Sequence, residues 1–137
     1  MNKNIAKKWV KALRSGKYKQ GQGYLKITDH EGDSCHCCLG VLCELYNEEQ
    51  KRHKKKQMKV HEVRWEGVSA IRFGQGNTER GVTVLPKNVQ DWAGLKTQEG
   101  SFNDNVYTYY EDLTVLNDGG NDFYRIADAI EDNVDKL

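Results

Sequence analysis

Residues 34–46 read Ser-Cys-His-Cys-Cys-Leu-Gly-Val-Leu-Cys-Glu-Leu-Tyr and hold all four cysteines of the chain within nine positions. Any fold for this chain has to bury that stretch. Cys38, Leu39, Leu42, Leu45 and Tyr46 recur at helical spacing and form one apolar face. Asp33 or Ser34 is suited to the N-cap. A helix starting there would place Cys35, His36 and Cys37 in its first turn, where free N–H groups and the helix dipole favour a thiolate. Packing and reactivity therefore both lay claim to the same residues.

The chain has 137 residues, enough for one ordinary domain spanning 1–137 and too few for two. Its hydrophobic fraction is 37%, but three Trp, seven Tyr and three Phe supply large burial units that disordered chains lack. No run of about eighteen apolar residues is present, and residues 1–4 lead into a charged helical pattern, so a soluble protein with no membrane association is expected. Cysteines this close in sequence do not bridge easily within a helix, so free thiols in a reducing compartment are expected. Net charge is +1 but unevenly spread: residues 1–60 carry fourteen Lys and Arg against six acids, and residues 61–137 carry seven against fourteen. Such halves attract each other in a folded chain, and nucleic acid is not the expected partner.

Residues 4–15 form a helix with Ile5, Trp9, Val10 and Leu13 on one stripe, and Gly16 ends it. A basic, glycine-containing loop follows at 16–23, then a strand at 24–28 and a turn at 29–33. The cationic run 51–56 closes the cysteine helix. Residues 58–65 and 68–73 read as a hairpin about Glu66-Gly67, with Val60, Val63, Trp65 and Ile71 as burial candidates. Residues 81–85 read as another strand, stopped by Pro86, which opens a short helix through Trp92 capped by Gly94. A polar loop at 96–105 precedes strand-like residues 106–110, and 117–120, Asn-Asp-Gly-Gly, is read as a sharp turn. The last helix places Phe123, Ile126, Ala127, Ile130, Val134 and Leu137 on one face behind Asn121 or Asp122. The sum is an α+β domain, with a short, mainly antiparallel sheet packed on the N-terminal, cysteine-motif and C-terminal helices.

Leu13-Arg14-Ser15-Gly16-Lys17-Tyr18-Lys19-Gln20-Gly21, Cys37-Cys38-Leu39-Gly40-Val41-Leu42-Cys43, Leu85-Pro86 with Trp92-Ala93-Gly94-Leu95, and Leu116-Asn117-Asp118-Gly119-Gly120 together resemble the signature of a family of small uncharacterised bacteriophage and prophage proteins. Cys37, Cys38 and Cys43 belong to that signature, whereas Cys35 and His36 are local variation. The resemblance implies a host cytoplasm and a host-modulating role. Some small phage proteins of this lifestyle sequester or destroy nucleotide second messengers of bacterial defence.

Three chemistries are weighed against plain packing. A cysteine hydrolase would use Cys37 or Cys38 as nucleophile, His61 as base and Asn117 or Asp118 as orienting group. Zinc would draw on Cys35, Cys37 or Cys38 with Cys43, His36 or His61, but four ligands at a recognisable spacing are missing, and neither metal nor cofactor is expected. Anion binding would use the loop at 14–23, where Arg14, Lys17, Tyr18, Lys19 and Gln20 offer charge and donors to phosphate. Asn117 and Asp118 would then take sugar hydroxyls, with Trp65, Trp92 or Tyr109 stacking a base. The expectation adopted is a phage-encoded, host-modulating protein that binds a small nucleotide-type ligand without catalysis. The cysteine hydrolase is the alternative, and a module that binds and inhibits a host enzyme is the third reading. Self-association is left open.

Overall fold

The N-terminal helix begins where a polar side chain can hold its first turn. In the computed structural model, which describes residues 1–103 and 112–137, Asn2 accepts hydrogen bonds from the N–H groups of Asn4 and Ile5, and α1 runs over Lys3–Arg14. Its buried residues are the expected Ile5, Trp9, Val10 and Leu13, joined by Ala6. The Trp9 indole is wholly buried and donates to the Cys38 carbonyl at 2.9 Å, which ties α1 to the cysteine segment.

The start of that segment differs from the expectation. Lys19–Gln20 (β1), Lys26–Thr28 (β2) and Ser34–His36 (β3) form a three-stranded sheet in the order β1-β3-β2. β3 lies parallel to β1 and antiparallel to β2, with Ile27 opposite Cys35. Asp29 decides this. Its carboxylate accepts from the N–H groups of Glu31 and Asp33, both at 2.9 Å, and its own N–H donates to the Asp33 carbonyl. The resulting turn sends the chain back along β2, so residues 34–36 join a ladder instead of a helix. Neither Asp33 nor Ser34 is the N-cap. Cys37 holds that position and α2 spans Cys38–Arg52. Gly40 lets α2 approach the lead-in to β2, since a Cβ there would lie 1.7 Å from the Leu25 carbonyl oxygen.

Val60–Trp65 (β4) and Val68–Phe73 (β5) form the expected hairpin, with Trp65 opposite Val68 and positive φ at both Glu66 and Gly67, as a two-residue hairpin turn requires. Its burial differs from the pattern reading. Val60 is 42% exposed, while Val63, Trp65 and Ile71 are half-buried. Ala70, Arg72 and Phe73 are the buried residues, because β5 is the strand that lies beside β2. Residues 81–85 are not a strand. The Glu79 carbonyl accepts from Val82 and Thr83, both at 3.0 Å, which winds the segment into a turn with Val82 and Leu85 inside. Gly81, at φ +83°, sits where a Cβ would come within 2.2 Å of the Phe73 carbonyl oxygen.

α3 (Lys87–Ala93) follows Pro86 and ends at left-handed Gly94. α4 (Leu113–Asp118) is capped by Asp112, so Asn117 and Asp118 close a helix and the turn itself begins at Gly119. The strand-like residues 106–110, Tyr109 among them, lie outside the described residues. α5 (Phe123–Asn133) is capped by Asp122, which accepts from the Arg125 N–H. Trp9, Leu39, Leu42, Phe123, Ile126 and Ile130 belong to one contiguous core, with Leu45 half-buried at its edge. Helices at both ends of the chain and small sheets between them make this an α+β domain.

Candidate functional site

Asn117 sits where three segments converge. It is wholly buried, and its Oδ1 accepts from the Cys38 N–H and from Gln20 Nε2, both at 3.1 Å. Its Nδ2 donates to the Gly21 carbonyl at 2.9 Å and to Asp118 Oδ1 at 3.1 Å. Gln20 also donates to the Asn121 carbonyl at 2.8 Å, and Asp118 Oδ1 accepts from the Gly23 N–H at 2.9 Å. The structure thus brings together Gln20, Asn117 and Asp118, three of the residues expected to bind ligand. Their hydrogen bonds run largely to each other and to backbone. Asn117 caps α2 in place of the missing side-chain N-cap.

All four cysteines are buried, and Cys38 reaches this junction through its N–H. Burial pushes the Cys37 thiol up to about 12, against the smaller opposing pull of the Gly40 and Leu39 N–H groups. Burial likewise holds the Cys38 and Cys43 thiols well above the ordinary range, and raises Cys35, with the Asp29 carboxylate adding to it. The helix dipole loses to desolvation here. A cavity of about 200 Å³ beside Cys37 is lined by Tyr24, Thr83, Thr114 and Asp118 and contains no histidine. His61 is exposed on β4 and borders a different hollow with Lys59 and Gln75. The Cys37 or Cys38, His61 and Asn117 constellation is not assembled, because β4 belongs to the hairpin and not to the α2 junction.

The zinc candidates also separate. His36 points its Nε2 at Glu44, 2.9 Å away, the Cys35 sulfur faces Asp29, and the Cys38 thiol donates to the Leu113 carbonyl. Asp29, Glu31 and Asp33 do converge, with ligand atoms within 4.8 Å of one another. The Lys19 ammonium already sits among them, 2.6 Å from Asp29 and 3.4 Å from Asp33.

The remaining cations of the loop at 14–23 are partnered too. Arg14 makes a two-pronged pair with Glu131 at 3.0 and 2.8 Å and reaches Asp128, so it links α1 to α5. Those carboxylates raise its pKa, Glu131 first. Trp65 lies on the hairpin with the Arg72 guanidinium 5.6 Å from its ring centre.

Lys17, Tyr18 and Trp92 do meet. They line an open groove of about 370 Å³ between α1, α2 and α3, together with Lys8, Lys11, Leu45 and Arg52. Lys17 pairs with Glu48 at 2.8 Å and Lys8 with Glu49 at 3.1 Å. Chiefly through Lys8, Glu49 is held down to about 2. Lys11 makes no ion pair among the described residues. Trp92 packs edge-on against Tyr46, with ring centres 5.4 Å apart. Sequence reasoning missed Lys8, Lys11 and Arg52. Their signal lay on the polar faces of two helices.

The fold and these contacts define a class: a small α+β domain whose cysteine motif is a packing and capping device, with basic grooves around it. The chain belongs to the family described as domain of unknown function DUF8296, which matches residues 1–134. No curated protein and no solved structure matches it. Among the described residues no helix is long and apolar enough to cross a membrane.

Proposed function

We propose that this protein binds a small anionic ligand bearing an aromatic ring, of the nucleotide type, in the groove between α1, α2 and Trp92, and does so without catalysis. The observation that carries this reading is that Lys17, Tyr18 and Trp92, chosen from sequence for such a ligand, line one groove with Lys8, Lys11 and Arg52, four cations against the two carboxylates Glu48 and Glu49. Its volume of about 370 Å³ falls within the range of small-molecule sites. The ligand's ring lies against Trp92, Tyr18 and Leu45, and its phosphate meets Lys11 and Lys17, with Lys8 and Arg52 adding charge at the rim. Glu48 gives up Lys17 to the phosphate and so sharpens selection for strongly anionic ligands. The sealed, protonated thiols favour binding over turnover. The phage setting and a host-modulating, anti-defence role in the host cytoplasm rest on the resemblance of the signature motifs.

Calorimetric titration with a panel of cyclic dinucleotides and ADP-ribose-type compounds tests this reading. Removing one charged hydrogen-bonding partner costs roughly 1.5–3 kcal/mol, so Lys11→Gln or Lys17→Gln weakens binding about tenfold or more. Arg14→Ala leaves it unchanged, since Arg14 is turned to α5. If no member of the panel binds, the small-ligand reading fails and a host protein becomes the partner to seek.

A further inference from the structure

Several cations near the helices are folded onto carboxylates: Arg14 on Asp128 and Glu131, Lys17 on Glu48, Lys19 on Asp29, and Lys26 on Glu44. At the C-terminal end of α2 and the base of the β4–β5 hairpin, only Arg52 and His53 find a carboxylate, Glu49, and the lysines stand unpaired among the described residues. Residues 51–59, Lys-Arg-His-Lys-Lys-Lys-Gln-Met-Lys, contain no acid. Lys51, Lys54, Lys55, Lys56 and Lys59 are exposed and make no ion pair among the described residues.

The last two of these border a groove of about 580 Å³ that also takes in Arg80, the amides of Gln75 and Asn88, and Lys87, which pairs with Asp91 outside the groove; among the described residues no carboxylate lines it. The groove shares no lining residue with the α1–α2 groove. Behind its wall lies Arg72, only 3% exposed, whose Nη1 donates to the Thr78 and Arg80 carbonyls at 3.0 and 2.9 Å. Arg80 in turn donates to the Leu85 carbonyl at 3.2 Å. Carbonyl oxygens accept hydrogen bonds from both guanidiniums without cancelling their charge. Low-dielectric surroundings screen such a charge poorly, so it adds to the potential of the groove.

We propose that this face binds the sugar–phosphate backbone of a nucleic acid. The phosphates lie along Lys56, Lys59 and Lys87, and the exposed lysines of 51–55 extend the track. Protein interfaces are depleted in Lys and rich in aromatic anchors, which suits this surface poorly: its aromatic residue, Phe73, is 1% exposed. With phosphates as the main contact, binding is sequence-tolerant and strongly dependent on salt.

The test is fluorescence anisotropy with labelled duplex and single-stranded oligonucleotides, with heparin as a separate polyanion probe. Four neutralised phosphates give about a hundredfold loss of duplex affinity between roughly 50 and 200 mM salt. Lys56→Gln with Lys59→Gln lowers affinity about tenfold and reduces the salt slope by roughly two, while Lys3→Gln with Lys7→Gln changes neither. All four side chains are exposed, so the variants keep the wild-type melting temperature. Failure of both nucleic acids to bind at low salt, binding to heparin alone, or equal loss in the Lys3/Lys7 control overturns the proposal.

Discussion

Asn117 and Arg72 are both buried polar side chains held by backbone, yet they do opposite things to the protein around them. Asn117 is neutral, and its amide joins α2, the loop after β1 and the end of α4 into one closed junction. Arg72 holds the stretch 78–80, and among the described residues no carboxylate answers its charge. Hydrogen-bond satisfaction and charge neutralisation are separate requirements. A site that meets both holds the fold together, and one that meets only the first leaves a field at the surface for a partner to answer.

The closed region should break most completely under alkali. Cys37, Cys38 and Cys43 titrate higher in the folded chain than in the unfolded one, so the folded state holds their protons more tightly. The stability this contributes is fully present below the unfolded thiol pKa of about 8.5 and is lost as pH rises towards 12. Circular dichroism should show unfolding in that window, and a thiol reagent at pH 8 should leave the native protein's cysteines unreacted while modifying all four in urea. Rapid native reaction of Cys37 would restore the nucleophile reading.

Asn117→Ala comes next in size. It strips the partner from the buried Cys38 N–H and Gly21 carbonyl, each costing about 1–3 kcal/mol, so urea melts should show a loss of roughly 2–5 kcal/mol. A loss within 0.5 kcal/mol would mean that the junction holds little of the fold. Arg72→Met should cost less, about 1–2 kcal/mol, because replacing a buried charge by an apolar side chain of similar reach removes a desolvation penalty along with its hydrogen bonds. The comparison sharpens if the same variant lowers the salt slope of oligonucleotide binding, and collapses if Arg72→Met is the more destabilising of the two.

How far the sequence foretells these regions follows from the range of the forces involved. Helical stripes depend on local periodicity, and so the buried faces of α1 and α5 and the Glu66-Gly67 turn were legible. The start of α2 was not, because Asp29 closes a hairpin across residues whose composition also suits a helix N-terminus. The strand reading of 81–85 failed for a related reason: Val82, Val84 and Leu85 have strand chemistry, but the Glu79 carbonyl gathers the N–H groups of Val82, Thr83 and Val84 into a turn. Of the ten residues expected to bind ligand, Tyr109 lies outside the described residues, Gln20, Asn117 and Asp118 gathered at the junction, and Lys17, Tyr18 and Trp92 gathered in the groove. Arg14, Lys19 and Trp65 went elsewhere, since carboxylates distant in sequence, or the hairpin, claimed them.

The smallest expected effect concerns Arg14, where charge is answered in full but at the surface. Its guanidinium meets Glu131 and Asp128 with about a third of the side chain exposed, and the carboxylates are more open still. Solvent screens such a pair, and holding three side chains in one geometry costs rotamer entropy. Arg14→Ala should therefore destabilise the fold only slightly, a small downward shift in Tm that shrinks as salt is added. Ligand affinity in the α1–α2 groove should not change, because the guanidinium faces α5. A loss of ligand binding with an unshifted Tm would put Arg14 back beside the phosphate and redraw the groove around it. A large, salt-insensitive drop in Tm would mean that the α1–α5 contact depends on this pair far more than its exposure allows.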